Sequence, residues 1–380
     1  MKILYCVPAL YNPGGMERIL IEKANYLSEL KDFEVHIITT DQDNRPIYFE
    51  LSSNVRITHL NLDFNQFFAH PIISKFFSIK KLLKSYRSLL EEYIRKENID
   101  VLVSLGGKEL EFLYKMNVPC RRFCELHFSI SIREQFLQAR GNSLLYKLIG
   151  KYRTKQIIKQ TKYLDKLIVL TKSDYEKLRC THSNLVQIYN FSPIDSAERI
   201  DGTSKIIVAV GKLDPQKGFD LLIESCSYIK DWQDWQLHIY GQGPDEKMLK
   251  EKIKSLNLDH QIILKGTTRH VSEVYKNAGI YVLSSRYEGF PMVLVEALSF
   301  GLPLVSFDCV SGPNELIVNN DCGILVEDGN TKKLGEAISE MLRSPQLRKE
   351  KSIIAFNKSK IFSKEEIMKQ WIKLFKEKTT

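Results

Sequence analysis

The chain alternates short apolar runs with mixed apolar and polar segments, and it follows this plan twice. In the first half, an apolar run at residues 3–7 is followed by a glycine-containing loop at 9–15. A helical pattern from 16 to about 30 and a second apolar run at 35–39 come next. The same order of elements returns at residues 206–210, 211–218, 219–229 and 236–240. Strands that alternate with helices at this spacing are typical of βαβ units in a parallel sheet.

Further apolar runs extend both predicted sheets. They lie at 101–105, 122–126 and 166–170 in the first half, and at 261–264, 280–283 and 304–306 in the second. We therefore predict an α/β protein with two doubly wound, Rossmann-like domains facing a central cleft, with ligands beyond the carboxyl ends of the strands. The predicted parts are an N-terminal domain at 1–190, a linker at 191–204, a C-terminal domain at 205–360, and a C-terminal helix crossing back to the first domain at 361–380.

The segment 286–303 carries the most chemical information. It predicts a loop, then a helix that begins at Pro291 and ends at Gly301 after about three turns. Every residue of that helix is apolar or small except Glu296. A carboxylate in a helix that is apolar on all sides costs several kcal/mol unless a hydrogen bond satisfies it. Glu296 is therefore a candidate binding residue.

A second carboxylate, Glu288, stands just before this helix. The free amides predicted at the helix start, on Met292, Val293 and Leu294, form an anion site. Two carboxylates flanking a helix N-terminus suit a ligand with hydroxyl groups at both ends and phosphates in the middle, which is the layout of a nucleotide sugar. The alternative is that Glu288 is a solvated loop residue and that Glu296 caps a loop or pairs with a buried lysine.

The loop after the predicted strand 206–210 contains two lysines between two glycines, at Gly211, Lys212, Lys217 and Gly218. Gly211 permits a tight turn, and the lysines place two ammonium groups above the strand end. Because lysine binds diphosphate as a point charge, the loop is a candidate phosphate site. The alternative is a surface loop with two solvated lysines.

Two glycines, Gly14 and Gly15, precede the first predicted helix in a segment that continues with Met, Glu and Arg. Without side chains there, a phosphate or sugar can approach the backbone, although such pairs are also common in simple turns. The spacing is not that of the dinucleotide-binding fingerprint. Asp41, two residues past the second strand, is a weak counterpart of the ribose-binding acid of that motif.

His127 directly follows the predicted strand 122–126. At the carboxyl end of a strand it can face a cleft and hydrogen-bond a sugar hydroxyl, although a single histidine is more often structural. Cys120 and Cys124 lie nearby, but the spacing of the three residues is irregular and no fourth ligand is evident. No metal site is expected.

The composition describes a globular protein with a basic first half. The net charge is +9, and residues 121–179 hold 14 Lys and Arg against 5 Asp and Glu. A second basic segment, 67–87, mixes lysines with aromatic residues, which suits either an anionic membrane interface or a core helix with a solvated basic face. No nucleic-acid module accompanies the charge.

No apolar run is long enough to span a membrane, and Pro8 comes too early for the core of a signal peptide. The seven scattered cysteines then indicate reduced thiols. We expect a cytoplasmic protein, with peripheral contact to the inner face of the cytoplasmic membrane.

Together these motifs resemble the retaining GT-B glycosyltransferases of the large group often called family 4, over nearly the whole chain. Glu288 and Glu296, with seven residues between them, resemble the family signature. The loop 211–218 resembles the phosphate loop, although many members carry Arg where this chain has Lys212. Residues 14–18 resemble the acceptor-side loop, and 308–315 resemble a loop of members that build bacterial surface polysaccharides.

The resemblance implies a role for each motif. Glu296 would hold the ribose hydroxyls, the two loop lysines the diphosphate, and Glu288 the donor sugar, while the segments 240–243 and 267–271 would line the base. The implied catalytic residues are His127, Glu288 and Lys217. The implied donor-binding residues are Gly15, Lys212, Lys217, Gly289, Phe290, Pro291, Met292, Val293, Leu294 and Glu296.

The implied reaction transfers a hexose or N-acetylhexosamine from a nucleotide sugar to a glycan or lipid-linked glycan acceptor, with retained configuration. The resemblance favours UDP over GDP and points to bacterial surface polysaccharide, lipopolysaccharide or capsule. No cofactor or metal is expected, because lysines and helix amides stabilise the leaving diphosphate. The alternatives are a nucleotide-sugar epimerase on the same fold and a non-catalytic nucleotide- or glycan-binding protein.

Overall fold

The computed structural model describes residues 1–64, 66, 72–130, 144–194 and 198–377, without the side chains of 72–76 and 144–147. Contacts divide the chain into two units. Unit 1 comprises Met1–Ile188 and the chain from Gln370 onward, and unit 2 comprises Tyr189–Lys369. The segment 191–204, predicted as a linker, groups with unit 2, and residues 195–197 lie outside the described residues.

Unit 1 is built on a parallel sheet with the order β3-β2-β1-β4-β5-β6-β7. Its strands are β1 (Lys2–Val7), β2 (Glu34–Thr39), β3 (Arg56–His59), β4 (Val101–Ser104), β5 (Arg121–Leu126), β6 (Lys166–Val169) and β7 (Leu185–Gln187). The described helices of this part of the chain are α1 (Gly15–Ser28), α2 (Ile72–Glu97), α3 (Leu110–Leu113), α4 (Leu144–Thr161) and α5 (Lys172–Leu178).

Unit 2 repeats this order, with a parallel sheet β10-β9-β8-β11-β12-β13. Its strands are β8 (Ile206–Val210), β9 (Gln236–Tyr240), β10 (Ile262–Gly266), β11 (Ile280–Leu283), β12 (Leu304–Phe307) and β13 (Gly323–Val326). The α-helices that begin in it are α6 (Phe219–Cys226), α7 (Glu246–Ser255), α8 (Val271–Lys276), α9 (Met292–Ser299), α10 (Pro313–Leu316), α11 (Thr331–Arg343), α12 (Pro345–Ser359) and α13 (Lys364–Lys376). Short 3-10 turns lie at Pro215–Lys217, Val318–Asn320 and Lys360–Phe362.

The central strands are covered on both faces, which explains why they read as continuous apolar runs. Strand β1 pairs in parallel with β2 and β4, and from Ile3 to Val7 its residues are buried. Strand β8 has the same position in unit 2, between β9 and β11. The prediction of two doubly wound parallel-sheet domains is confirmed.

Three strands were not predicted, namely β3, β7 and β13. Each lies at an edge of its sheet. Strand β3 has the sequence Arg-Ile-Thr-His and no buried residue, while β7 is only three residues long. Because edge strands are half-exposed and short, these two lack the apolar run on which the prediction depended. Strand β13, with the sequence Gly-Ile-Leu-Val, is an apolar run that the prediction passed over.

The C-terminal helix α13 starts in unit 2 and ends in unit 1. Within unit 1, the Phe375 ring stacks on Phe123 of β5 with ring centroids 6.1 Å apart. The Arg121 guanidinium donates hydrogen bonds to the Phe375 and Glu377 carbonyls, and Lys376 pairs with Asp32 at 2.6 Å. Residues 378–380 lie outside the described part of the chain.

The basic segment 67–87 is described only in part, because residues 67–71 and the side chains of 72–76 are excluded. Beyond this gap, α2 buries Tyr86 and exposes Lys80, Lys81 and Lys84. This part therefore fits a core helix with a solvated basic face. Among the described helices, none has the length and apolar character needed to span a bilayer.

Candidate functional site

Helix α9 begins at Met292 and is 8 residues long, roughly two turns rather than the predicted three. Pro291 is the N-cap residue instead of the first helical residue, and Gly301 follows the helix with a φ of +71°. The Leu294 amide donates to the Pro291 carbonyl at 2.9 Å. The prediction of three free amides was therefore wrong for Leu294, and Met292 and Val293 supply the amides without an intrahelical partner.

Glu296 is a buried carboxylate of this helix, and it receives a hydrogen bond from the Tyr275 hydroxyl at 2.7 Å. Tyr275 belongs to α8, is fully buried, and stacks on Phe300 with ring centroids 5.7 Å apart. Helix α8, which begins at the end of the segment 267–271, thus positions one oxygen of Glu296 through Tyr275. Tyr275 was not predicted as a partner of Glu296, because nothing in the local sequence marks a contact across 21 residues of chain.

Glu288 and Lys217, both predicted as catalytic residues, meet in unit 2. The Lys217 Nζ lies 2.7 Å from Glu288 Oε1, and the Ser285 hydroxyl donates to the same oxygen at 2.6 Å. The Glu288 side chain is 7% exposed and that of Lys217 is 19% exposed. Because both bonds converge on one oxygen, the carboxylate is fixed in place. The Lys217 stem packs against Gly211, where a Cβ would lie 3.0 Å from Lys217 Cγ.

The phosphate loop 211–218 is packed too closely for side chains at its contact points. A Cβ on Gly241 would lie 1.8 Å from the Gly211 carbonyl oxygen, and one on Gly218 would lie 2.1 Å from the Ser284 carbonyl oxygen. Gly218 also has a φ of +61°, which disfavours any residue with a Cβ. These glycines allow the loops after β8, β9 and β11 to lie against one another.

Lys212, the other predicted phosphate ligand, is 69% exposed and lies 3.7 Å from Asp214. Lys217, by contrast, is mostly buried, and its ammonium group pairs with Glu288. The segment 308–315 lies beside the same site. The Glu288 amide is 3.5 Å from the Val310 carbonyl, and a Cβ on Gly312 would lie 2.5 Å from Pro291. This segment thus packs against the start of α9.

Arg286 ties the loop before α9 to the phosphate loop. Its guanidinium makes a two-pronged contact with the Asp220 carboxylate, at 2.8 and 2.7 Å, and also donates to the Pro215 carbonyl at 2.8 Å. Burial raises the pKa of Asp220, but the hydrogen bonds from Arg286 and then its charge outweigh it and hold that pKa below its ordinary value. Arg286 and Asp220, which the sequence analysis did not identify, therefore fix the loop that carries Lys217.

Replacing Arg286 with Lys is expected to destabilise unit 2 by about 1–2 kcal/mol, a figure reduced for solvent screening because the pair is about a third exposed. Lysine keeps the charge but cannot form the fork. Thermal unfolding measures the loss. Arg179→Lys is the matched control, since the Arg179–Glu176 pair is about 60% exposed. An equal loss of stability from the two substitutions would contradict a stabilising role for the two-pronged Arg286–Asp220 contact.

A cavity of about 250 Å³ brings together the two segments predicted to line the base. Its lining includes Tyr240 at the end of β9, Thr268 and His270 from the loop before α8, and His238 within β9. Burial, followed by the Lys265 charge, lowers the pKa of His238. The rest of the lining combines apolar residues, such as Ile206 and Val208, with polar ones, such as Glu273 and Asn277.

In unit 1, Gly15 begins helix α1 and Gly14 is its N-cap residue. A Cβ on Gly14 would lie 2.2 Å from the carboxylate of Glu17, so the glycine makes room for that side chain. Asp41 is buried after β2, where it accepts a hydrogen bond from the Thr40 hydroxyl at 2.5 Å.

His127, the third predicted catalytic residue, lies in unit 1 just after β5, and its side chain is 3% exposed. Its Nε2 lies 3.2 Å from Glu125 Oε1. The same oxygen accepts a hydrogen bond from Lys23 at 2.6 Å, and the Lys23 ammonium lies 3.6 Å from the centre of the Trp371 ring. Neither Lys23 nor Glu125 was identified from sequence as a partner of His127.

Metal ligands are not grouped in the part of the chain that the structure describes. There, no set of three or more His, Cys, Asp or Glu side chains is placed to hold a metal ion. All seven cysteines are free thiols, and burial raises the pKa of Cys124 beyond the ordinary range of a thiol.

The chain is similar to known glycosyltransferases in sequence and in fold. Residues 190–358 match the family model "Glycosyl transferases group 1". An uncharacterized glycosyltransferase of Haemophilus influenzae is 27% identical over 97% of this chain and 98% of its own length. A Campylobacter jejuni α-1,4-N-acetyl-D-galactosaminyltransferase, named for a diNAcBac-PP-undecaprenol-linked acceptor, is 27% identical over 99% of both chains.

Among solved structures, a point mutant of Staphylococcus aureus TarM in complex with fondaparinux, α-GlcNAc-glycerol and UDP superposes with a TM-score of 0.77 at 18% identity. The superposition covers 99% of this chain and all of the other. At this identity the likeness concerns the fold alone. The two parallel-sheet units have the GT-B fold, and residues 190–358 match the glycosyl transferases group 1 family.

Proposed function

We propose that the protein is a retaining glycosyltransferase of the family 4 type that uses a nucleotide sugar, with UDP as the favoured nucleotide. The observation that carries the proposal is the meeting of Lys217 and Glu288 at 2.7 Å beside the start of α9, with Glu296 buried in the same helix. The family match over residues 190–358 supports it. An epimerase or a non-catalytic binding protein has no comparable support.

In this proposal the diphosphate lies between Lys217 and the amides of Met292 and Val293. An ammonium group has three N–H donors, so Lys217 can bind a phosphate oxygen while it keeps its hydrogen bond to Glu288. Charge that develops on the leaving diphosphate is then stabilised by groups already in place. Lys212, which is exposed, adds a second cation, and no metal is required.

Glu288 and Glu296 bind the two ends of the donor. Glu288, fixed by Lys217 and Ser285, accepts hydrogen bonds from the sugar hydroxyls together with the amides of Gly289 and Phe290. Glu296, oriented by Tyr275, accepts from the ribose hydroxyls. The cavity at Tyr240 and Thr268 takes the base. Unit 1 contributes Gly15 and His127 in this proposal.

For the acceptor we propose a glycan or lipid-linked glycan of bacterial surface-polysaccharide synthesis, with a hexose or N-acetylhexosamine transferred. The Campylobacter relative, whose name contains an undecaprenol-linked glycan, supports this class. So does the segment 308–315 beside Glu288, which resembles a loop of polysaccharide-building enzymes. Contact with an anionic membrane through the basic face of α2, at a cytoplasmic location, stays a prediction.

Thermal unfolding in the presence of UDP, GDP, ADP, CMP or NAD tests the donor site. A ligand at about 100 times its Kd adds roughly 2.7 kcal/mol, which raises the midpoint by a few degrees. We expect UDP to give the largest shift. Glu296→Gln, which keeps the hydrogen bond from Tyr275 but removes the charge, is expected to weaken UDP binding about 10-fold.

Glu340→Gln is the matched control, because Glu340 is exposed on α11, in the same unit. It should leave the UDP shift unchanged. A shift with NAD alone, or no shift with any nucleotide, would contradict the proposed donor site.

A further inference from the structure

A pair of oppositely charged side chains is buried beneath His127. Lys23 on α1 and Glu125 on β5 are each 1% exposed and lie 2.6 Å apart. Removing two charges from water is costly, and a buried ion pair often contributes no net stability relative to apolar residues of similar volume. Stability alone therefore does not explain why this pair occupies the core of unit 1.

Glu125 connects the pair to His127. Residues 125 and 127 are two apart, so their side chains share a face of the chain where β5 ends. The His127 Nε2 lies 3.2 Å from Glu125 Oε1, at ion-pair distance but without the alignment of a hydrogen bond. Within the described residues, Glu125 Oε2 has no hydrogen-bond partner. The carboxylate therefore acts on Lys23 and His127 through one oxygen.

Surrounding groups keep Glu125 in its charged form. The Lys23 ammonium lies 3.6 Å from the centre of the Trp371 ring. Burial, and after it the Glu125 charge, raises the pKa of Tyr5 of β1. Burial raises the pKa of Glu125, but the Lys23 charge and then His127 outweigh it and hold that pKa at about 2. An ionised carboxylate is only an acceptor, so it favours a proton on the facing nitrogen of the imidazole.

We propose that Glu125 is a positioning residue that keeps the His127 imidazole in the Nε2–H tautomer, and that Lys23 and Trp371 hold Glu125 for this purpose. The Nδ1 atom is then the ring nitrogen that accepts a hydrogen bond from a ligand. The role of His127 in sugar transfer rests on the proposed function. The tautomer of its ring does not, because the groups that set it are all in unit 1.

The test uses the full-length Lys23→Met/Glu125→Leu double variant, which replaces the ion pair with apolar side chains of similar size. Ring ¹⁵N chemical shifts of His127, assigned with His127→Gln, report the tautomer. We expect Nε2–H to dominate in the wild type and a mixture in the double variant. Unchanged shifts would overturn the proposal. If the double variant does not fold, Lys23→Met/Glu125→Gln, which retains the shape of the carboxyl group, serves the same test.

The transfer rate provides a second readout. We expect kcat to fall about 10- to 100-fold in the double variant, the loss that is typical when a group that orients a metal-ligating histidine is removed. UDP affinity should be unchanged, because the residues proposed to bind the diphosphate, the ribose and the base are in unit 2. Lys358→Met/Asp321→Leu is the matched control, since that pair in unit 2 also lies 2.6 Å apart. A double variant with wild-type kcat would show that the pair is only structural. If the wild-type protein transfers no sugar, the proposed function is refuted. The ¹⁵N shifts of His127 would still show which tautomer is present.

Discussion

Glu288→Gln is expected to reduce the rate of sugar transfer by about 10²- to 10³-fold. Glu288 is the buried carboxylate on which Lys217 and Ser285 converge, so the substitution removes a charge from the centre of the proposed donor site. Gln keeps the shape and one acceptor oxygen, and Lys217 is exposed enough to be solvated without its partner. The fold should therefore survive, and kcat/KM for the donor measures the loss.

Glu327→Gln is the matched control for this substitution. Glu327 also pairs with a lysine, at 3.0 Å, but both side chains are more than half exposed. Its rate should stay within about 2-fold of the wild type, because exposed ion pairs contribute little. Retention of the wild-type rate by Glu288→Gln would refute the assignment of Glu288 as a catalytic residue.

Glu125→Leu as a single substitution is expected to destabilise the protein by about 3–5 kcal/mol, because it leaves the Lys23 ammonium buried without a counter-charge. On thermal unfolding this corresponds to a drop of roughly 6–20 °C in the midpoint. The Lys23→Met/Glu125→Leu double variant should recover most of the loss, since it buries no charge. A single variant as stable as the double variant would show that Lys23 reaches water or loses its proton at little cost.

The same pair predicts a pH dependence. The pKa of Glu125 in the folded protein is about 2, below the ordinary value of 4.5. A carboxylate with a depressed pKa stabilises the fold above its unfolded-state pKa, and this contribution is lost as the pH falls from about 4.5 towards 2. Over that window, thermal midpoints should fall more steeply for the wild type than for the double variant. Parallel curves would contradict an ionised Glu125.

Much of the fold follows from local sequence. The strands β8, β9 and β11 have the predicted bounds. The covered faces of β8 and β11 produce continuous apolar runs, while apolar and polar residues alternate from Gln236 to Ile239 in β9. Strands β3 and β7 were missed because half-exposed edge positions tolerate polar residues, whereas the apolar run of β13 is present in the sequence and was passed over. The length of α9 was overestimated, since an apolar run does not distinguish the helix itself from the Phe300 and Gly301 turn that follows it.

The candidate site shows the same division between local and long-range information. Glu288 and Glu296 stand out because a carboxylate is unusual beside an apolar helix. Their partners do not, since Lys217 is 71 residues from Glu288 and Tyr275 is 21 residues from Glu296. The Lys23–Glu125 pair spans 102 residues. Such contacts exist only after the sheets form, so a single sequence gives no signal for them.

Release of UDP from UDP-sugars, with the configuration of the transferred sugar read by NMR, tests the central claim most directly. UDP-glucose, UDP-galactose and their N-acetylated forms would be supplied with undecaprenyl-diphosphate-linked glycans and without added metal. We expect release with at least one donor, an axial anomeric bond in the product as in the donor, and loss of release in Glu288→Gln. Absence of release with every donor, or an inverted anomeric bond, would contradict a retaining UDP-sugar transferase.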